Sequence, residues 1–261
     1  MQAPARLADL SGRVALVVGA SRGIGRAVAE AFAREGADVV AVARDEGRLV
    51  DLAGRVRDFG RRCETIAVDV ADDAALTAGL DAVVARGLEP TILVHAAAAV
   101  YRHQRLQFVE LAELDRMHAI DVRSAIVAAR WTIPHMIGAR FGRVVLLGSL
   151  AAHVGIPGGA AYATSKAALE GLARGIALDY SQRGITANVL SLGFVETERL
   201  GERLAGDAEA RARLVETTAT KRLTTPEEVA SATLFLCSEH ARSITGSVIE
   251  MTAGAHLATR F

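Results

Sequence analysis

The sequence predicts an α/β fold: one doubly wound parallel sheet of about seven strands with helices on both faces. Three observations predict it. Short β-branched runs alternate with longer stretches of helical periodicity, the rhythm of repeated βαβ units. Those runs are nearly continuous in Val, Leu, Ile and Ala, as in strands that helices cover on both sides. The length of 261 residues, 51% of them hydrophobic, suits a single buried core, so residues 1–261 are read as one domain.

The strand runs fall at 13–18, 38–42, 64–68, 91–94, 143–147 and 186–190, with a last short strand at 247–251. Between the first two, Ile24, Ala27, Val28, Ala31 and Phe32 recur at helical spacing, and Gly36 sits where that helix ends. Residues 196–225 break the pattern. They are polar, rich in Glu, Arg and Thr, and predict no strand; they read as a mobile lid, with a solvated helical hairpin as the plainer alternative. Pro226, Glu227 and Glu228 then open a helix that leads through Val229 to Cys237.

Composition narrows the partners. Lys plus Arg and Asp plus Glu number 30 each, a formal net charge of +0, so no overall field gathers a nucleic-acid backbone or an anionic membrane. Met1 to Ser11 contain Arg6 and Asp9 and no apolar run, and no later stretch reaches the about 18 apolar residues of a membrane span. A cytoplasmic protein is expected. Cys63 and Cys237 fall in segments that read as buried strand and helix, and are expected to be free thiols. The histidines form no ligand pair backed by carboxylates at helical spacing, and no metal is expected.

Directly after the first strand runs Gly19-Ala20-Ser21-Arg22-Gly23-Ile24-Gly25, which opens the first helix. Glycines permit a tight turn and close backbone approach, and the N–H groups and dipole of a helix start attract a pyrophosphate. The turn is therefore read as a dinucleotide cradle. At the end of the second strand, where an acidic side chain selects a ribose 2′-OH, stands Arg44. With Arg22 it can clamp a 2′-phosphate, which favours NADP(H); in the competing reading Asp45 turns inward to the ribose. Asp69 and Val70, at the end of the third strand, are placed to meet the adenine edge, with a helix N-cap as the alternative for Asp69.

Tyr162-Ala163-Thr164-Ser165-Lys166 lies on a helix, so Tyr162 and Lys166 share one face. A phenol ordinarily titrates near about 10, and an adjacent ammonium favours its ionised form, fitting it for acid–base work. Upstream, Ser149 ends the strand at 143–147, where its hydroxyl can polarise a substrate carbonyl.

Together these residues resemble the short-chain dehydrogenase/reductase family over roughly residues 10–255, closest in pattern to its 3-oxoacyl-(acyl-carrier-protein) reductase-like ketoreductases. The resemblance rests on Gly19, Gly23 and Gly25, on Asp69, on Ser149, and on the Tyr-x-x-x-Lys of Tyr162 and Lys166. It implies a Rossmann-type sheet and NADP(H)-dependent reduction of a ketone, a 3-oxoacyl thioester or similar carbonyl, to a secondary alcohol. Tyr162 then gives the proton, Ser149 holds the carbonyl, and Lys166 tunes Tyr162 and anchors the nicotinamide ribose. Ala96 and Ala97 border the cofactor, and the segment 191–197 resembles the family's Pro-Gly stretch, with Gly193, Val195 and Thr197 at the nicotinamide and phosphates.

The sequence departs from the family pattern at four places. Val18 stands in place of a Thr, and His95-Ala96-Ala97-Ala98 in place of Asn-Asn-Ala-Gly. Asp121 replaces the catalytic Asn, still able to hold a relay water but adding a negative charge that disfavours a phenolate nearby; either the pH optimum is unusual or a base such as Arg123 pairs with Asp121. Leu192 replaces the Pro. Arg140 and Arg183 fall where carrier-protein reductases present basic residues, with solvated surface arginines as the alternative. A secondary-alcohol dehydrogenase of a specialised metabolite, sugar or steroid is the competing enzyme reading. A silent NADPH-binding regulator is disfavoured because Tyr162 and Lys166 are both present, and an enoyl reductase because its Tyr and Lys stand further apart. By the same resemblance a homotetramer is expected, paired through helices at about 111–136 and 160–182.

Overall fold

The computed structural model describes residues 8–257. Seven strands form one sheet: β1 (Val14–Val18), β2 (Asp38–Ala43), β3 (Cys63–Ala67), β4 (Ile92–His95), β5 (Gly142–Leu147), β6 (Ile185–Leu192) and β7 (Val248–Met251). Their order is β3-β2-β1-β4-β5-β6-β7, and every neighbouring pair is parallel. The chain steps outward from β1 to β3, then crosses back to place β4 on the other side of β1. That reversal opens a crevice beyond the carboxyl ends of β1 and β4, where such sheets bind ligands. Strand ends differ from the sequence reading by one or two residues; β3 stops at Ala67 because its register partner, Ala43, ends β2.

Side chains alternate along each strand and divide between two cores. Ala15 and Val17 pack with Val28 and Phe32 of α1 (Gly23–Arg34), Leu49 and Leu52 of α2 (Glu46–Asp58), and Val229 and Leu234 further along. Leu16 and Val18 point the other way, to Leu76 and Leu80 of α3 (Asp73–Val84) and to helices from the middle of the chain. Each large side chain so buried contributes about 1.5–3 kcal/mol. Val18, unlike the Thr it replaces, simply joins this apolar layer.

The helix expected at 111–136 is broken. It runs as α4 (Leu111–His118), a π-helical turn at Ala119–Arg123, and α5 (Ser124–Ala139). A π turn accommodates one extra residue and redirects a side chain, which is why such turns recur at functional sites; here it buries Asp121 completely. Next comes α6 (Ala160–Tyr180), whose Leu169 and Ile176 complete the second core with Ala125 and Met136 of α5.

Residues 196–225 contain α7 (Glu198–Arg203) and α8 (Ala208–Glu216), capped by the side chains of Thr197 and Asp207. No strand forms there, but one parallel bridge, Val195 with Thr224, joins the two ends, through Glu196 N–H to Thr224 O at 2.8 Å and Thr224 N–H to Phe194 O at 3.2 Å. A capping box between Thr225 and Glu228, with Pro226 in the first turn, starts α9 (Pro226–Cys237), as those residue types dictate. Cys63 and Cys237 are free, and burial pushes both thiols up to about 12. No helix among the described residues is long and apolar enough to cross a membrane.

Candidate active site

The turn between β1 and α1 is built on contacts only glycine tolerates. Gly19 has φ +90°, and a Cβ there would stand 2.5 Å from Ala97 N; a Cβ on Gly25 would stand 2.2 Å from Gly19 O. The N–H groups of Gly19 and Ala20 are taken by Val42 O at 2.7 and 3.1 Å. Those of the first turn of α1 have no acceptor within the helix. Arg22 at its N-cap supplies no side-chain cap, and no acidic residue occupies the first turn. The result is a bare, positively polarised helix start facing the crevice, a fit for the pyrophosphate of a dinucleotide.

Arg44, just beyond β2, is exposed and lines the same cleft. Asp45 lines the cleft as well, and its carboxylate is held by Arg48: it caps α2 by accepting from Arg48 N–H at 3.0 Å and stands 3.4 Å from the Arg48 guanidinium. The N-cap of α3 is Asp72, not Asp69. Asp69 instead accepts from Ala71 N–H at 3.0 Å and pairs with Arg116. Partial burial opposes its charge, but the Arg116 guanidinium and the Ala71 N–H outweigh that and hold the carboxyl below its usual range.

One cleft of about 2590 Å³ runs from this turn to the end of β5, well beyond the roughly 300–1,000 Å³ of a small-ligand pocket. Gly19, Ser21, Arg22, Gly23, Ile24, Gly25, Arg44, Asp69 and Val70 line one part of it. Ala96, Ala97, Ser149, Tyr162, Lys166, Gly193, Val195 and Thr197 line the rest. Asp121 does not; it lies beneath the floor. Its carboxylate accepts from Ala99 N–H at 2.6 Å and from Ser165 Oγ at 3.0 Å, and faces Lys166 Nζ at 3.6 Å. The expected pairing with Arg123 is thus corrected: Arg123 projects outward to Asp73 at 3.0 Å, because the π turn sends Asp121 into the core and Arg123 to the surface.

Lys166 is 3% exposed. Its ammonium donates to Leu147 O at 3.3 Å and stands 5.7 Å from the centre of the Tyr162 ring. With three donors on the ammonium, the carbonyl and the carboxylate leave one for the cleft. Ser149 Oγ accepts from Ala151 N–H at 3.2 Å, so its own proton is free to be donated. His95, in the first position of the altered Asn-Asn-Ala-Gly segment, shares a hydrogen bond between Nε2 and Ser124 Oγ at 2.7 Å, while Nδ1 has no partner. Burial, and then the nearby Lys166, push its pKa down to about 3; a ring so held is a structural group and not a base for catalysis. Leu192, in the Pro position, is packed into the first core layer.

Two features of the cleft are not evident from sequence patterns. Tyr101, in the loop after β4, stacks on Tyr162 with centroids 4.1 Å apart and planes 8° from parallel. That loop is fastened to the loop after β5 by Gln104 N–H to Gly158 O at 2.9 Å and His103 Nδ1 to Pro157 O at 3.1 Å. Arg199 and Arg203 of α7 also line the cleft. The only sequence signal for them was the aromatic following a small-residue run and the arginine content of 196–225. Among the described residues, no group of three His, Cys, Asp or Glu side chains is placed to hold a metal ion.

Comparison with known proteins agrees with this geometry. Residues 19–256 match the family model described as enoyl-(acyl carrier protein) reductase. The chain is 32% identical over 250 residues to the 3-oxoacyl-(acyl-carrier-protein) reductase FabG of Escherichia coli, covering 95% of this chain and 99% of that protein. It resembles the crystal structure of a 3-oxoacyl (acyl-carrier-protein) reductase from Agrobacterium tumefaciens with NADP bound, with a TM-score of 0.89 and 32% identity over 95% of this chain and 96% of that one. A reductase of the same name from Brucella melitensis, with NAD bound, superposes with a TM-score of 0.87 at 28% identity over 97% and 95% of the two chains. The chain belongs to the short-chain dehydrogenase/reductase family, and is an NAD(P)-dependent oxidoreductase acting between CH–OH and C=O groups.

Proposed function

We propose that this enzyme reduces a ketone to a secondary alcohol with NADPH, with Tyr162 as the general acid. The observation that carries the reading is the buried Lys166 ammonium, fixed between Leu147 O and Asp121 and set beneath the Tyr162 ring. Bound nicotinamide supplies the hydride. Ser149 donates its free hydroxyl proton to the carbonyl oxygen, polarising it. Tyr162 transfers its proton to the same oxygen as charge develops there, and the adjacent ammonium stabilises the phenolate left behind. The remaining Lys166 donor is available to a ribose hydroxyl.

NADPH is favoured over NADH because Arg44 is exposed beside the cradle with no ion-pair partner among the described residues, while the neighbouring Asp45 carboxylate is engaged by the start of α2 and by the Arg48 guanidinium. A small carbonyl compound is favoured over a carrier-bound acyl chain. Arg140 and Arg183 precede β5 and β6, so they stand at the amino edge of the sheet, opposite the Tyr162 end. Single copies are expected to associate as a homotetramer through α5 and α6, where Ile126 and Leu178 stay exposed; sedimentation as a monomer would exclude it.

The test follows absorbance at 340 nm with NADPH, and separately NADH, against β-ketoacyl thioesters, diketones and cyclic ketones. Tyr162→Phe is expected to lose about 10²- to 10⁴-fold in kcat, the usual worth of a general acid. Tight NADPH binding with no turnover in either direction would instead mean a silent binding protein.

A further inference from the structure

Helix α7 divides its charges between two sides. Glu198 and Glu202, four residues apart, share one side. They pair with Arg48 at 2.7 Å and with Arg22 at 3.1 Å, over the dinucleotide cradle. Arg199 and Arg203, also four apart, share the adjoining side and line the cleft. There the Arg203 guanidinium lies beside the Tyr101 hydroxyl, and Arg199 faces Tyr162 and, more deeply, Asp121.

Every other basic residue of 196–225 has a carboxylate partner: Arg211 with Glu196, Arg213 with Asp207 and Glu209, Lys221 with Glu216, and Arg222 with Glu228. Among the described residues, Arg199 and Arg203 pair with none. Arg199 is half-buried in spite of this, and burial, followed by the neighbouring Arg22, pushes its guanidinium below the ordinary range. Across the cleft Arg102 is likewise without a carboxylate partner and faces the same space. A half-buried cation that only the deeper Asp121 faces, with no ion pair of its own, is costly to hold, and that cost is offset when an anion enters.

We propose that the substrate carries an oxyanion, a carboxylate or a phosphate, which Arg199 and Arg203 bind beside the carbonyl held by Ser149 and Tyr162. The proposal rests on the reductase reading and sharpens it. A carrier's phosphopantetheine has its phosphate at the far end of the arm from the thioester carbonyl, whereas these guanidinium groups stand next to Tyr101 and Tyr162. They therefore read a group on the reacting molecule itself. Guanidinium forks suit both oxyanions, bidentate and charge-assisted.

The test compares matched pairs as substrates with NADPH: a 3-keto acid with its methyl ester, and dihydroxyacetone phosphate with dihydroxyacetone. Wild type is expected to prefer the charged member of at least one pair. In Arg199→Met and in Arg203→Met the charged-to-neutral ratio of kcat/KM falls about 10- to 100-fold, the loss of a charge-assisted hydrogen bond. The Kd for NADPH, followed by nucleotide fluorescence, stays where it was. A ratio near one in wild type, a ratio the variants leave unmoved, or an NADPH Kd that rises in step with the loss overturns the proposal; the last assigns Arg199 to a cofactor phosphate. Which pair responds separates keto acid from sugar phosphate. A second readout needs no turnover: the keto acid or the phosphate raises Tm of the NADPH complex in wild type and not in Arg199→Met. If no ketone is reduced the reductase reading fails, and this shift still decides whether an anion site exists.

Discussion

His95 illustrates what one substitution inside a core entails. Its ring is fully buried with a single hydrogen-bonded nitrogen, and burial lowers its pKa from 6.5 to about 3. The unfolded chain takes up that proton at a higher pH than the folded one. Hence His95 contributes stability that is complete above its unfolded pKa of 6.5 and is lost as pH falls through the folded value of about 3. In His95→Asn this contribution to the slope is absent, so Tm declines less steeply below pH 6.5 than in wild type; parallel curves from scanning calorimetry would refute the neutral, buried ring. At this scale the sequence was legible where chemistry recurs in a fixed spacing, as with Ser149, Tyr162 and Lys166. It was not legible where partners come from distant loops. Asp121 was marked as unusual, yet its pairing with Lys166 depends on a helical irregularity that no propensity encodes. Tyr101 acquires its role only by lying on Tyr162, and Arg199 only by lacking a partner.

The β1–α1 turn is the element with the least tolerance. Since a Cβ on Gly25 would meet Gly19 O at 2.2 Å, Gly25→Ala must push α1 away from the strand and spoil the row of N–H groups at its start. An increase in the NADPH Kd of more than about tenfold is expected, the loss of one charge-assisted contact or more, together with a lower Tm; fluorescence titration and thermal melting check both. An unchanged Kd would show that the cradle binds elsewhere. The strand–turn–helix was readable because its glycines, its apolar run and its helical spacing all agree. The division of the 111–136 helix was not, because both halves keep helical periodicity and only the buried Asp121 marks the junction. Helix caps behaved similarly: Thr225 with Glu228 announces itself, but which of Asp69 and Asp72 caps α3 is decided by where β3 ends.

For the molecule as a whole, strand order follows from right-handed crossovers and the single reversal between β3 and β4, so the crevice and the residues around it could be anticipated from the order of motifs alone. The exact shape of the cleft could not, since its far wall is made by residues 196–225, whose polar sequence fixes no register. The two ends of that stretch, just after β6 and just before α9, are joined by two adjacent backbone hydrogen bonds, Glu196 N–H to Thr224 O and Thr224 N–H to Phe194 O. Its ends are therefore held together whatever lies between them, and the entropy of closing a longer or shorter loop across a fixed gap changes only slowly with length. Such a joint makes the segment an exchangeable cassette. A chimaera carrying a relative's residues between the two pins is expected to keep the Tm of the sheet to within a few degrees while acquiring the relative's substrate preference. New specificities in this lineage can then arise by replacing one surface excursion, with the cradle and the proton donor inherited intact.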